Sequence, residues 1–174
     1  PFTANSLLAL GASPIMSGEK KEADDIMRHA GALLLNIGTC SEGKIPLYTE
    51  MAARANQYNV PIVLDPVGYG ASEFRKDLTD TLIRNYDIAL VKGNAGEIQA
   101  LSGQEGASKG VDSIFKGNVL KIAEAAEKLL KVPVLVTGET DAFVSSSEKL
   151  TMHNGHSFQE KITGSGCVLG AITA

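Results

Sequence analysis

The sequence predicts an α/β fold: a mostly parallel central sheet flanked by helices on both faces, with an antiparallel hairpin added late. Three observations carry this. Short apolar runs alternate with longer stretches of helical periodicity, the pattern of repeated strand–helix units. The runs are continuous rather than alternating, as in strands covered on both faces. Each run also gives way to a polar or glycine-containing cluster, the usual punctuation of a chain leaving a sheet.

Asn5–Leu10 has a helical pattern stopped by Gly11. Leu33–Ile37 reads as a buried strand and Pro46–Tyr58 as a helix with proline at its start. Val60–Leu64 is β-branched and continuous, hence a second buried strand, ending at Asp65. Glu73–Arg84 is helical and Asp87–Val91 is a third strand. Asn94 and Glu97 have capping-box spacing and open a short helix reaching Leu101. Ser102–Gly117, rich in Gly and Ser, reads as a loop or mobile insertion. Val119–Lys131 is a helix with Ile122, Ala125, Ala126 and Leu129 on one face, and with Glu124 and Lys128 spaced to pair. Val132–Val136 is a fourth strand, Ala142–Ser145 and Lys149–His153 the hairpin, and Phe158–Ile162 a last strand.

The chain opens on Pro1-Phe2 without an initiator Met and closes at Ala174 inside a helical pattern. The expectation is one domain over residues 1–174, truncated at both ends. Apolar residues at 44% and charged residues at 21% suit a globular core. A net charge of -4 gives no basic field to draw the chain to nucleic acid or an anionic membrane. No apolar run is long enough to cross a bilayer, and two cysteines make no disulfide framework. The expected setting is cytoplasmic.

In sheets of this kind ligands bind beyond the carboxyl ends of the strands. The polar and glycine-rich residues gather there: Asn36-Ile37-Gly38-Thr39, Asp65-Pro66-Val67-Gly68, Lys92-Gly93-Asn94, Thr137-Gly138 and Thr163-Gly164-Ser165-Gly166-Cys167. A single such cluster would be a turn; the repetition on one rim points to a site. Thr163–Cys167 is the strongest signal. Its glycines let backbone N–H groups converge at a helix N-terminus, where free donors and the helix dipole attract an anion such as a phosphoryl group; the plainer reading is a glycine-rich strand-to-helix turn. Cys167 stands where a thiol can act as base or nucleophile, or where a small residue packs a helix onto a sheet. Asp65 and Glu97 suit Mg²⁺ held through water, or else a turn cap and half of a capping box. No P-loop sequence occurs, and Gly68-Tyr69-Gly70 lacks the third glycine of a dinucleotide loop. His29, His153 and His156 have no zinc-like spacing with cysteine, and Lys20-Lys21 reads as a solvated face.

The segments NSLLALGASPIM (5–16), LLLNIGT (33–39), PIVLDPVGYG (61–70), KGNAGEI (92–98), GVDS (110–113), VTGETD (136–141) and TGSGC (163–167) together resemble the hydroxyethylthiazole kinase family of thiamine salvage, within the ribokinase-like superfamily. The resemblance runs in order over nearly the whole chain. It implies ATP-dependent phosphorylation of the hydroxyl of 4-methyl-5-(2-hydroxyethyl)thiazole. It implies that Met16 and Gly164 contact the thiazole, that Lys92 and Thr137 contact ATP, and that Asp65 and Glu97 organise Mg²⁺. Cys167 then takes the position of the base, and Gly164, Ser165, Gly166 and Cys167 form the anion hole. It further implies a homotrimer with sites built between subunits. Lys92 stands where many bacterial members have Arg and resembles fungal members, in which a thiamine phosphate synthase domain is fused to this one. Hydroxymethylpyrimidine or pyridoxal kinases, and a non-catalytic binding domain of the same fold, are the alternatives.

Overall fold

The computed structural model describes residues 2–103 and 118–174. Strands β1 (Leu33–Asn36), β2 (Ile62–Asp65), β3 (Leu90–Asn94), β4 (Val134–Thr137), β5 (Asp141–Val144) and β6 (Lys149–Met152) form one sheet in simple sequence order. The first four are parallel, and β5 and β6 are added antiparallel at one edge. This is the expected α/β fold with its late hairpin. Helices α1 (Phe2–Ala9) and α2 (Ala23–Met27) precede the sheet; α3 (Ile45–Gln57), α4 (Glu73–Asn85), α5 (Ala95–Leu101) and α6 (Val119–Leu130) connect its strands, and α7 (Ser165–Thr173) follows it.

Consecutive parallel strands joined by right-handed crossovers place α3, α4, α5 and α6 on one face. Alternation along each strand sorts the side chains accordingly. Leu35, Leu64, Val91 and Val134 are aligned by the strand register. They form the main core with Met51 of α3, Leu82 of α4, Ile98 of α5 and Ile122 of α6. Each large side chain buried there contributes roughly 1.5–3 kcal/mol. The helices carry their own start signals. Ser72 caps α4 through Arg75 N, and Asn118 caps α6 through Lys121 N. Asn94 and Glu97 make the expected capping box of α5. Each such cap is worth about 1 kcal/mol.

The opposite face carries Leu34, Val63 and Leu90 in register. Two residues further along the same strands stand Asn36, Asp65 and Lys92. Helix α7 packs on this face against β1 and β2, with α1 against α7.

The structure departs from the sequence expectations in four places. Phe158–Ile162 is not a strand: Ser157–Lys161 forms a 3₁₀ turn capped by His156, whose ring accepts Phe158 N–H while Gln159 Oε1 accepts His156 N–H. Local polar capping takes the place of a strand ladder here. The third strand continues through Lys92-Gly93-Asn94, because Gly93 and Asn94 pair with Val136 and Thr137 of β4. On α6 the buried residues are Ile122, Ala123 and Ala126, while Leu129 is exposed. Glu124 pairs with Lys149 of β6 at 2.8 Å rather than with Lys128, since the hairpin edge brings Lys149 beside it. The GVDS segment and most of the Ser102–Gly117 stretch lie outside the described residues.

Candidate active site

The carboxyl ends of β1, β2 and β3 supply a row of polar groups, Asn36, Asp65 and Lys92, beneath the first turns of α7. Asn36 and Asp65 are register partners, and Lys92 follows one residue beyond the Leu64–Val91 pair. Asp65 is 1% exposed and Lys92 3% exposed. Lys92 Nζ donates to Gly166 O at 2.9 Å and lies 3.4 Å from Asp65 Oδ2. Asn36 Nδ2 donates to Asp65 Oδ2 at 2.8 Å and to Cys167 Sγ at 3.1 Å. Helix α7 comes close to the sheet at Gly170, where there is room for a methyl group but little more. A Cβ there would lie 3.4 Å from Leu34 Cδ1, 3.5 Å from Asp65 Oδ2 and 3.6 Å from Lys92 Cδ.

Burial pushes the Asp65 carboxyl above the usual aspartate range. The Lys92 charge pulls it back and Glu97 adds to the push, with the Lys92 and Asn36 hydrogen bonds as smaller opposing effects. Lys92 does not offset the desolvation, consistent with its ammonium lying nearer Gly166 O than the carboxylate. Among the described residues Asp65 Oδ1 is a buried acceptor without a hydrogen-bond partner.

Gly164 caps α7 with φ 92°, a left-handed conformation that glycine adopts at no steric cost. Ser165 is anchored by its N–H to Ile162 O and by its hydroxyl to Gln159 O. The Gly166 and Cys167 amides follow in the first turn, where no carbonyl of the helix itself can meet them. The turn thus offers donors and a positive dipole end beside a thiol. Thr137 closes β4, its hydroxyl donating to Gly93 O at 3.3 Å. Glu97 does more than cap α5: Oε2 accepts Asn94 N–H and Oε1 accepts Gly68 N–H, both at 2.9 Å, tying the β2 loop to the end of β3.

The expected site residues Asp65, Lys92, Gly166 and Cys167 therefore come together in one hydrogen-bonded cluster, with Glu97 and Thr137 on the same rim. Met16 stands apart from this burial: it is 67% exposed, on the segment after α1.

Two side chains outside the predicted set hold the cluster. Asn36 joins its carboxylate to its sulfur. Arg75 spans two rim loops, Nη1 donating to Ile37 O at 2.9 Å and Val67 O at 2.7 Å, and Nη2 to Gly38 O at 3.1 Å. A sequence signal for Arg75 exists. A cation in the first turn of a helix opposes the helix dipole, so it needs partners elsewhere.

Among the described residues no group of three His, Cys, Asp or Glu side chains converges as a metal cage. The donor set does fit a cation held mainly by water and phosphate oxygens, which is how Mg²⁺ is usually bound. Asp65 Oδ1 is an unpaired acceptor, and each Glu97 oxygen keeps a lone pair beyond its one N–H bond.

Comparison with known proteins gives one answer. Residues 1–174 match the family described as the hydroxyethylthiazole kinase family. A protein named hydroxyethylthiazole kinase 1 from Streptococcus pneumoniae strain CGSP14 is 49% identical over 173 residues, covering 99% of this chain and 66% of that protein. The protein of the same name from strain JJA shows the same identity and coverage. A solved structure of a hydroxyethylthiazole kinase protein from Pyrococcus horikoshii OT3 superposes with a TM-score of 0.87 at 36% identity, over 99% of this chain and 64% of that one. The chain thus spans just under two thirds of the length of these relatives.

Proposed function

We propose, for a chain that belongs to the hydroxyethylthiazole kinase family, that the intact protein transfers the γ-phosphoryl group of ATP to the hydroxyl of 4-methyl-5-(2-hydroxyethyl)thiazole. The observation that carries the reading is the first turn of α7. A left-handed Gly164 opens it, and its Gly166 and Cys167 amides lie beside the Cys167 thiol, above the buried Asp65–Lys92 pair. Phosphoryl transfer asks a protein mainly for positioning and for stabilisation of charge on the moving group, and that is what such a turn supplies.

In this reading the alcohol oxygen forms a bond to the γ-phosphorus as the bond to the β-phosphate bridging oxygen breaks. ADP carries away that electron pair, and the alcohol proton passes to Cys167 Sγ. The Gly166 and Cys167 amides supply the donors of the Gly164–Cys167 anion hole, because the Ser165 N–H is held by Ile162 O. Lys92, buried beneath the turn, places positive charge under the phosphates, and Thr137 at the end of β4 meets the nucleotide. Mg²⁺, when bound, neutralises phosphate charge; Asp65 and Glu97 are the residues that would hold it. Gly164 and Met16 take the thiazole. The exposure of Met16, with Leu10 and Ile15 also exposed, supports a site completed by a neighbouring subunit of a homotrimer. A cytoplasmic setting and a fused thiamine phosphate synthase domain belong to the same proposal; among the described residues no helix is long and apolar enough to cross a membrane.

The test is ADP release by the full-length protein with ATP, Mg²⁺ and the thiazole alcohol, beside hydroxymethylpyrimidine and pyridoxal. Turnover confined to the thiazole is the expected result, with a large fall in kcat for Cys167→Ala. A folded protein that phosphorylates none of the three would refute the kinase reading. Turnover of a control alcohol alone would refute the substrate.

A further inference from the structure

Three features stand outside the roles assigned above: the Asn36 amide, the Arg75 clamp, and the exposed apolar residues of α1 and the segment after it. The apolar residues belong to the assembly already proposed. Among the described residues the Arg75 guanidinium hydrogen-bonds to backbone carbonyls alone. Asn36 touches both the carboxylate and the sulfur of the site.

We propose that Asn36 is a positioning residue: its side-chain amide links the buried Asp65 carboxylate to Cys167 and holds the Cys167 sulfur as a hydrogen-bond acceptor. This deepens the kinase reading and rests on Cys167 as the group that receives the alcohol proton.

The orientation of the amide follows from its neighbours. The Gly38 backbone N–H, which can only donate, lies 2.9 Å from Asn36 Oδ1. The carbonyl end must therefore face Gly38, and the NH₂ end must face inward. Its two hydrogens have two acceptors, Asp65 Oδ2 at 2.8 Å and Cys167 Sγ at 3.1 Å. Every hydrogen-bonding site of the amide that points into the cluster is thereby used. The strand end that carries it is held as well: Asn36 pairs with Asp65 in the β1–β2 ladder, and Tyr48 Oη donates to Asn36 O at 3.4 Å.

The consequence for Cys167 is positional. The amide N–H aimed at Sγ fixes where that sulfur sits relative to β1 and β2 and to the Asp65 carboxylate. Few other residues suit the position. Leucine has the shape but no donor, serine is too short to span both acceptors, and aspartate would set a second carboxylate against Asp65.

The experiment uses the full-length protein with Asn36→Leu and, as a smaller polar variant that keeps the fold testable, Asn36→Ser. The first readout needs no turnover: the rate of Cys167 alkylation by iodoacetamide at fixed neutral pH, resolved by mass spectrometry. Loss of the amide hydrogen bond that holds the sulfur in place is expected to slow it about tenfold in both variants. An unchanged or faster rate in variants with native circular dichroism overturns the proposal.

The second readout is a double-mutant cycle on kcat with Cys167→Ala. Asn36→Leu is expected to lower kcat about tenfold with little change in the KM for ATP, and to cost clearly less once Cys167 is alanine, the remainder arising through Asp65. A full additive loss in the double variant overturns the claim that Asn36 acts through Cys167. The alkylation rates decide the Asn36 link, and turnover by the wild type decides the kinase reading, so failure of one is distinguishable from failure of the other.

Discussion

Replacing Lys92 with methionine removes the ammonium from a site that is 3% exposed while keeping most of the side-chain volume. Asp65 Oδ2 then keeps only the Asn36 donor, and Gly166 O loses its 2.9 Å partner. Breaking a buried ion pair by removing one member costs about 3–5 kcal/mol, because the remaining charge is left uncompensated. The cost should depend on pH with a definite sign. Burial already raises Asp65 above its unfolded value, and the Lys92 charge is the largest effect opposing that rise. Without Lys92 the folded-state value climbs further. Between the unfolded and folded values the native chain holds a proton that the unfolded chain has released, so stability falls as pH rises across that window. The penalty of Lys92→Met is therefore smallest below the ordinary aspartate range, grows as pH rises, and levels off above the folded value. Urea unfolding of both proteins over a pH series measures it. Adding Asp65→Asn to Lys92→Met should recover most of the loss at neutral pH. A penalty that is the same at every pH, or no recovery in the double variant, would show that the two groups do not interact as described.

Three further outcomes are expected. Gly170→Ala should be neutral or stabilising by up to about 1 kcal/mol, since its Cβ would meet neighbours at ordinary contact distances of 3.4–3.6 Å and alanine favours the helix. Gly170→Val should cost about 1–3 kcal/mol as its γ-carbons force α7 off the sheet; thermal melts of both distinguish close packing from mere helix propensity. Arg75→Ala should cost about 2 kcal/mol, the scale of hydrogen bonds made by a charged donor, and Arg75→Lys should restore only part of it, because an ammonium cannot span the carbonyls of Ile37, Gly38 and Val67 together; urea midpoints report both. The Tyr58 hydroxyl, and after it Arg28, hold the Asp24 carboxyl below the usual aspartate range. That contribution is present above the unfolded value and lost as pH falls through the folded one, so the stability difference between wild type and Asp24→Asn should vanish in strong acid.

What the sequence determined by itself is what depends on near neighbours along the chain. The continuous apolar runs of β1, β2 and β4 set the parallel sheet, and Asn94 with Glu97 set the start of α5. The glycines of Thr163–Cys167 marked the turn into α7, and the polar clusters marked the rim. Each of these follows from periodicity, capping or φ preference within a few residues. Only the tertiary structure decided which of the rim residues touch. Asp65 and Lys92, 27 positions apart, face each other because strand register puts them on the α7 side of adjacent strands, and that helix packs over them. Asn36 reaches Cys167 across 131 positions for the same reason. Glu124 chose Lys149 over Lys128, and Phe158–Ile162 folded as a capped turn rather than a strand, because the available partner in space outweighed the local pattern. Alternation along a strand says which side chains share a face, but the identity of the neighbour across the ladder is a property of the folded sheet.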